Sequence, residues 1–195
     1  MSNRQIPTTV PKSALNDIGL HEKITAIENI DRQQYFPIDK LKAHLDNIPH
    51  VAISIFIFHG ERLLLQKRAS TKYHSAGLWA NTVCSHPRWH ETAEDCANRR
   101  LQEELGWQVP LTSFGSIDYS AQVGDLFENE HVYCFHGKHS LENNLQNYNR
   151  TEVDEIEWLT LPEVLQQITD NPARFTEWFR IYMTRHRHMF TSLFQ

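Results

Sequence analysis

The most apolar run of the chain is Val51-Ala-Ile-Ser-Ile-Phe-Ile-Phe58, dominated by β-branched and aromatic side chains and lacking alternation. Such a run predicts a strand buried on both faces. His59-Gly-Glu-Arg62 supplies a turn and Leu63-Leu-Leu-Gln66 a returning strand, so the two read as a hairpin. Over residues 92–105 the pattern takes a helical period, with Ala97, Leu101 and Leu105 on one face. Thr92 is its expected N-cap, Glu94 and Asp95 fill the first turn, and Gly106 stops it. Shorter strands are expected around 117–123, 130–135 and 155–159. Pro162 and Pro172 sit where first helical turns begin, Pro172 behind a capping Asn171. The last helix is predicted over 172–193, with Phe175, Trp178, Phe179, Tyr182 and Met189 as a core-packing stripe. No repeat or βαβ period appears. The pattern predicts one α/β (α+β) domain, a mixed sheet sandwiched by helices, over 37–195. Residues 1–36 are expected to form an N-terminal extension, of which the first 20 or so read as mobile or loosely docked.

Composition narrows the function classes. The 195-residue chain has 19 Lys and Arg against 24 Asp and Glu, a net charge of −5 that argues against a general nucleic-acid binder. Three cysteines in a chain large enough to fold without staples predict a reducing, cytoplasmic home. The start shows no apolar signal segment, and the longest apolar stretch falls far short of the roughly 20 residues that span a bilayer. Histidine is the excess: there are 12, more than the 7 glycines or 8 prolines.

Several segments carry candidate chemistry. In Leu78-Trp-Ala-Asn-Thr-Val-Cys-Ser-His86-Pro87, Cys84 and His86 lie two apart on an extended stretch and project to one face. A thiol beside a cationic or metal-bound group is held as thiolate; the alternative is a buried thiol next to a satisfied histidine. Glu128 and Glu130, at the opening of an expected strand, also share a face. Like charges that close call for a cation between them, unless the segment is a solvated turn. His44 and His50 precede the first core strand. With His86 and the two glutamates they would form an N3O2 donor set, suited to six-coordinate Mn²⁺ or Mg²⁺ or to Zn²⁺ in an expanded site. In Arg99-Arg-Leu-Gln-Glu-Glu-Leu-Gly106, Arg99 with Glu103 and Arg100 with Glu104 are i, i+4 pairs. Either they are ordinary surface pairs, or Glu104 holds Mg²⁺ and Arg100 faces a phosphate, with Arg68 and Lys72 as further phosphate partners.

Glu91 with Arg99-Arg-Leu-Gln-Glu-Glu-Leu-Gly-Trp107 resembles the Nudix box, with Ser85 at its leading glycine and Arg100 in place of the Glu of its Arg-Glu pair. Those departures, the stretch Lys72-Tyr-His-Ser-Ala-Gly-Leu-Trp-Ala-Asn-Thr-Val-Cys-Ser-His-Pro87, and Glu128-Asn-Glu130 resemble the type I isopentenyl-diphosphate Δ-isomerases, across about 37–183. The resemblance implies a Nudix fold and the reversible conversion of isopentenyl to dimethylallyl diphosphate. It implies Cys84 and Glu130 as the catalytic pair on opposite faces of the substrate, with Tyr119 and Trp178 near the reacting carbons. It implies His44, His50, His86, Glu128 and Glu130 as ligands of Mn²⁺, Mg²⁺ or Zn²⁺. Glu104 and the carbonyl of Cys84 are implied as the site of a Mg²⁺ that also binds the diphosphate. Lys40, Arg68, Lys72 and Arg100 are implied as diphosphate contacts. No flavin, nucleic acid or membrane span is expected, and the expected state is a monomer or weak homodimer. The rival is a Nudix pyrophosphohydrolase acting on a nucleoside diphosphate derivative, against which Arg100 at the missing glutamate speaks. Three of the twelve histidines are thereby recruited; the other nine, His74 among them, are accounted for by turn, surface or helix positions.

Overall fold

The computed structural model describes residues 22–140 and 148–194, and the expectation for the first 20 residues lies outside them. The apolar run becomes the central strand β3, His50–His59, buried along nearly its whole length. Around it lie β1 (Lys23–Asn29), β2 (Gln34–Asp39), β4 (Arg62–Arg68), β5 (Trp79–Ala80), β6 (Val83–Ser85), β7 (Thr112–Val123), β8 (Leu126–Lys138) and β9 (Val153–Thr160). β3 runs parallel to β8 and antiparallel to β1, β4 and β6; β7 pairs with β8, and β5 and β9 with β4. The mixed sheet is thus built outward from one doubly buried strand.

Its two faces hold two cores. Ile53, Ile55 and Ile57 of β3 pack with Cys96, Ala97, Leu101 and Leu105 of helix α2, Ala93–Leu105. Thr92 caps that helix, its hydroxyl accepting from the Asp95 amide at 3.0 Å, and Gly106 closes it at φ 72°. Only a left-handed residue closes the helix this way, which is why glycine stands there. On the other face Ala52, Phe56 and Phe58 pack against α3 (Leu161–Asp170) and α4 (Glu177–Arg185). The two-residue period of β3 explains the split: odd positions face α2, even ones face α4. Helices therefore flank the sheet on both sides, as the sequence implies.

Three expectations are corrected. The boundary drawn at residue 36 falls inside β2, and from Lys23 the supposed extension is a β1–β2 hairpin in the sheet. The hairpin escapes the pattern because its exposure alternates only loosely and Pro37 sits in β2, which is tolerable on an edge strand. Glu128 and Glu130 do not open a strand but stand inside β8, which begins at Leu126. The single helix expected over 172–193 is broken. A 3₁₀ turn at Pro172–Arg174 is followed by extended Phe175, which bridges to Trp79, and the Thr176 amide donates to the Trp79 carbonyl at 2.9 Å. That tie to the sheet restarts the helix at Glu177, and two further 3₁₀ turns follow Arg185.

Candidate active site

The even face of the sheet turns from apolar to polar at one end. In β8, Val132 and Cys134 belong to the α4-side core, whereas Glu128 and Glu130 are buried carboxylates on the same face. Strand register does the rest. His50 pairs with Glu130 across the parallel β3–β8 ladder, and Tyr119 pairs with Glu130 across the antiparallel β7–β8 ladder. Cys84 in β6 is opposite Ser54 in β3, and His86 follows just beyond β6. His44 comes from α1, Lys40–Leu45, a short helix laid beside β8.

The three imidazoles meet. Ring centroids of His44 and His50 are 4.8 Å apart, those of His44 and His86 5.1 Å, and those of His50 and His86 5.0 Å. Nε2 of His86 is 2.9 Å and Nε2 of His50 3.6 Å from Oε1 of Glu130, and Nε2 of His44 is 3.7 Å from Oε2 of Glu128. Ligand atoms of His44, His50, His86 and Glu130 all lie within 4.8 Å of one another, with Glu128 at the edge of that group.

The donor set fits a divalent cation. Nδ1 of His44 donates to the Lys40 carbonyl at 2.8 Å and Nδ1 of His50 to the Ile48 carbonyl at 2.7 Å. A carbonyl only accepts, so in the neutral form each ring keeps a lone pair on Nε2, aimed at the cluster. Burial lowers His50, but the Glu130 carboxylate outweighs it and raises this residue above the ordinary histidine value. Nε2 of His50 is buried without a hydrogen-bond partner among the described residues, as expected of an atom awaiting an acceptor of its lone pair. Burial, with the neighbouring imidazoles, holds His44 well below the ordinary histidine range, and burial with Lys40 does the same for His86. Glu130 responds to two opposed causes: burial raises its carboxyl, but the contacts with His50, Glu128 and Tyr119 bring it below the usual range.

Cys84 faces the same cavity of about 50 Å³ as Glu130, Tyr119, Trp178, Lys40 and Arg68. Its thiol donates to Oδ1 of Asn81 at 3.0 Å and lies 3.3 Å from Oγ of Ser54, itself 3.1 Å from the Tyr182 hydroxyl. Burial pushes the thiol up to about 12. Burial thus favours the neutral thiol, the alternative left open for the Cys84–His86 pair. The Arg68 guanidinium stands 5.4 Å over the Trp178 ring, and the Lys40 ammonium 5.9 Å from that of Tyr73.

The remaining sequence candidates do not line this cavity but form a second cluster. Oε1 of Glu104 accepts from Arg100 at 2.7 Å and Oε2 from Gln66 at 3.0 Å. Arg100 and Lys72 also meet Glu152, at 3.3 and 3.0 Å. The structure thus brings Lys72, Arg100 and Glu104 together but not onto the cavity. Arg99 clamps Glu91 through two hydrogen bonds of 2.6 and 2.7 Å, a structural tie at the start of α2.

Sequence reasoning missed His74, Ser54 and Asn81. His74 lines the cavity and contacts Glu128. The only signal for it was its place inside the long signature segment, since a turn has no period to reveal an inward-facing side chain.

Comparison with known proteins bears on these features directly. Residues 48–179 match the family model described as the NUDIX domain. The isopentenyl-diphosphate Delta-isomerase of Cereibacter sphaeroides is 45% identical over 152 residues, covering 77% of this chain and 85% of that protein. The protein of the same name from Jannaschia sp. is 44% identical over 153 residues, covering 77% and 86%. Among solved structures, a protein from Deinococcus radiodurans superposes with a TM-score of 0.61 at 15% identity, over 76% of this chain and 90% of its own. The MutT protein from Methanosarcina mazei gives 0.57 at 17% identity, over 72% and 94%. The two superpositions speak for the fold, and the two relatives for the branch within it. The chain belongs to the isopentenyl-diphosphate Delta-isomerase family, on the NUDIX fold.

Proposed function

We propose that this chain interconverts isopentenyl and dimethylallyl diphosphate by proton addition and removal through a tertiary carbocation, in isoprenoid biosynthesis. The observation that carries the reading is that the Cys84 thiol and the Tyr119–Glu130 pair line one cavity. The reaction needs this. One proton enters at the terminal alkene carbon and one leaves the allylic methylene, so no proton is consumed overall and two groups must exchange one through the substrate. Glu130, hydrogen bonded by Tyr119, is one of the two and Cys84 the other. Because the reaction is reversible, each is acid in one direction and base in the other.

An alkene is a very poor base, and the cation formed on protonation is easily trapped by water. The buried aromatic walls of the cavity, Tyr119, Trp178 and Tyr182, would limit water beside the reacting carbons. The Trp178 face stabilises positive charge without offering a nucleophile, a contact worth up to about 2 kcal/mol when desolvated. Arg68 and Lys40 at the cavity are suited to grip the diphosphate, with Lys72 and Arg100 available once their partners exchange.

His44, His50, His86, Glu128 and Glu130 would hold a Mn²⁺, Mg²⁺ or Zn²⁺ ion, and Glu104 with the Cys84 carbonyl a Mg²⁺ shared with the diphosphate. When bound, these cations supply positive charge that steadies the carboxylates and neutralises the phosphates. Three free cysteines among the described residues fit a reducing cytoplasm, and no helix of the described residues is long and apolar enough to cross a membrane. We take the working form as a monomer or weak homodimer.

The test is turnover. Purified protein given isopentenyl diphosphate and Mg²⁺, without flavin, is expected to yield the acid-labile allylic isomer. Release of phosphate with no isomer formed would replace this reading with a hydrolase.

A further inference from the structure

Neither the family resemblance nor the donor cluster assigns His74, yet the chain takes trouble to bury it. It sits in the turn between β4 and β5, where Ser75 (φ 50°) and Gly77 (φ 70°) both adopt left-handed backbone. The Lys72 amide donates to the Ala69 carbonyl at 3.1 Å and the Gly77 amide to the Arg68 carbonyl at 3.1 Å, closing the turn on itself. A left-handed serine is uncommon, and here it directly follows the buried His74. His74 ends 7% exposed, its ring 6.0 Å from that of His44 and 5.7 Å from that of Trp178.

Both ring nitrogens have partners. Nε2 meets Oε1 of Glu128, and a carboxylate accepts, so Nε2 carries the hydrogen. Nδ1 lies 3.4 Å from the Ser75 hydroxyl, which is placed to donate to it. The other Glu128 oxygen, Oε2, faces His44. The two oxygens of Glu128 are therefore divided, one held by His74 and one presented to the imidazole cluster. The backbone of the same residue is held from the substrate side: Arg68 donates through Nε and Nη2 to the His74 carbonyl at 3.2 and 3.1 Å.

We propose that His74 is a positioning residue that fixes Glu128 so that a single oxygen faces the metal cluster, and that it ties this carboxylate to the Arg68 side of the substrate cavity. The inference rests on the metal-site reading given above and adds a residue to it. A histidine that donates to a ligating carboxylate restricts its rotation, and removing such outer partners costs roughly 10- to 100-fold in metal affinity. Without His74, Oε1 of Glu128 would be a buried carboxylate oxygen lacking this donor, and the side chain would be free to turn.

The experiment uses the full chain and Mn²⁺ as the probe, with binding read from the electron paramagnetic resonance signal of free and bound ion. Two substitutions fill the space of the imidazole: His74→Gln, which retains an N–H donor near the position of Nε2, and His74→Met, which does not. His74→Gln is expected to bind Mn²⁺ within about 3-fold of wild type. His74→Met is expected to bind it about 10- to 100-fold more weakly. Thermal unfolding followed by circular dichroism establishes that both variants are folded. Equal Mn²⁺ affinity in the two variants would overturn the proposal. Wild-type protein that binds no Mn²⁺ would overturn the underlying metal site, and this proposal with it.

Discussion

The Tyr119 hydroxyl donates to Oε2 of Glu130 at 2.8 Å because the two residues are direct partners in the β7–β8 ladder. Burial and the Glu130 charge hold the phenol well above the ordinary tyrosine range, so it stays protonated and serves as a donor at neutral pH. Removing it leaves a buried carboxylate oxygen unpaired without opening the fold. Tyr119→Phe is expected to lower kcat about 100-fold, within the span of general acid–base contributions, with KM changed only a few-fold. Steady-state isomerisation kinetics check this, and an unchanged kcat would remove Tyr119 from the proton path.

Cys84→Ala and Glu130→Gln are each expected to abolish isomerisation, a loss of at least about 1000-fold, with the folded structure kept. Alanine is readily housed beside Ser54 and Asn81, and glutamine preserves the shape of Glu130. Turnover like wild type in either variant would sink the assignment of the pair. Circular dichroism would show whether the fold is intact.

The thiol itself is open to a pH test. Burial pushes Cys84, Cys96 and Cys134 each up to about 12, against an ordinary thiol near 9. Thiolate is the form that alkylates, so at neutral pH the folded chain holds roughly 1000-fold less of the reactive species than an unfolded one. Iodoacetamide modification of the native protein at pH 7 should therefore be slow, should accelerate as pH rises, and should become fast on denaturation. Rapid labelling of Cys84 at pH 7 by mass spectrometry would contradict the environment described for it.

The long periodic segments were legible in sequence, and the reason is physical. β3 showed as an apolar run without alternation and α2 as a helical period. β7 and β8 were legible only over 117–123 and 130–135, since β7 is exposed along most of its length. Spacing of two made Cys84 with His86 and Glu128 with Glu130 readable as shared faces. What stayed hidden depended on contacts distant in sequence. β5 and β6 are too short to show a period, α1 lacks a side-chain cap, and the break at Phe175 comes from its bridge to Trp79. His74 faces inward through the dihedrals of a turn, which composition does not encode. Glu104 and Arg100 were readable as a pair, but their closure with Gln66 and Glu152 was not.

Metal removal offers another check. His44, His50 and His86 converge with the Glu130 carboxylate, Glu128 standing at the edge, so a cation bound there should stabilise the folded chain by mass action, about 2.7 kcal/mol at 100 times its dissociation constant. Treatment with a chelator is expected to lower Tm and stop turnover, and Mn²⁺ or Mg²⁺ to restore both. His86→Ala should lose that stabilisation. Metal analysis showing the same bound ion in His86→Ala as in wild type would take His86 out of the site.

Glu91 and Arg99 give a prediction about stability alone. Arg99 holds both oxygens of Glu91, and the Arg88 amide donates to Oε2 at 2.8 Å. Burial raises the Glu91 carboxyl, but these bonds outweigh it and hold it below its ordinary value of 4.5. A carboxyl lowered by folding contributes stability above its unfolded pKa and loses it as pH falls through the folded value. The side chains are only 14% and 19% exposed, so solvent screening is partial and the bidentate pair is worth about 1–2 kcal/mol. Glu91→Gln should therefore be less stable than wild type by that amount at pH 7. The gap should begin to narrow as pH falls below about 4.5, where the unfolded chain takes up the proton, and close as pH passes through the lower value of the folded carboxyl. Urea unfolding of both proteins at pH 7 and at acid pH measures the gap. A difference that stays constant across that range would mean the loss comes from packing at the start of α2 and not from the charge of Glu91.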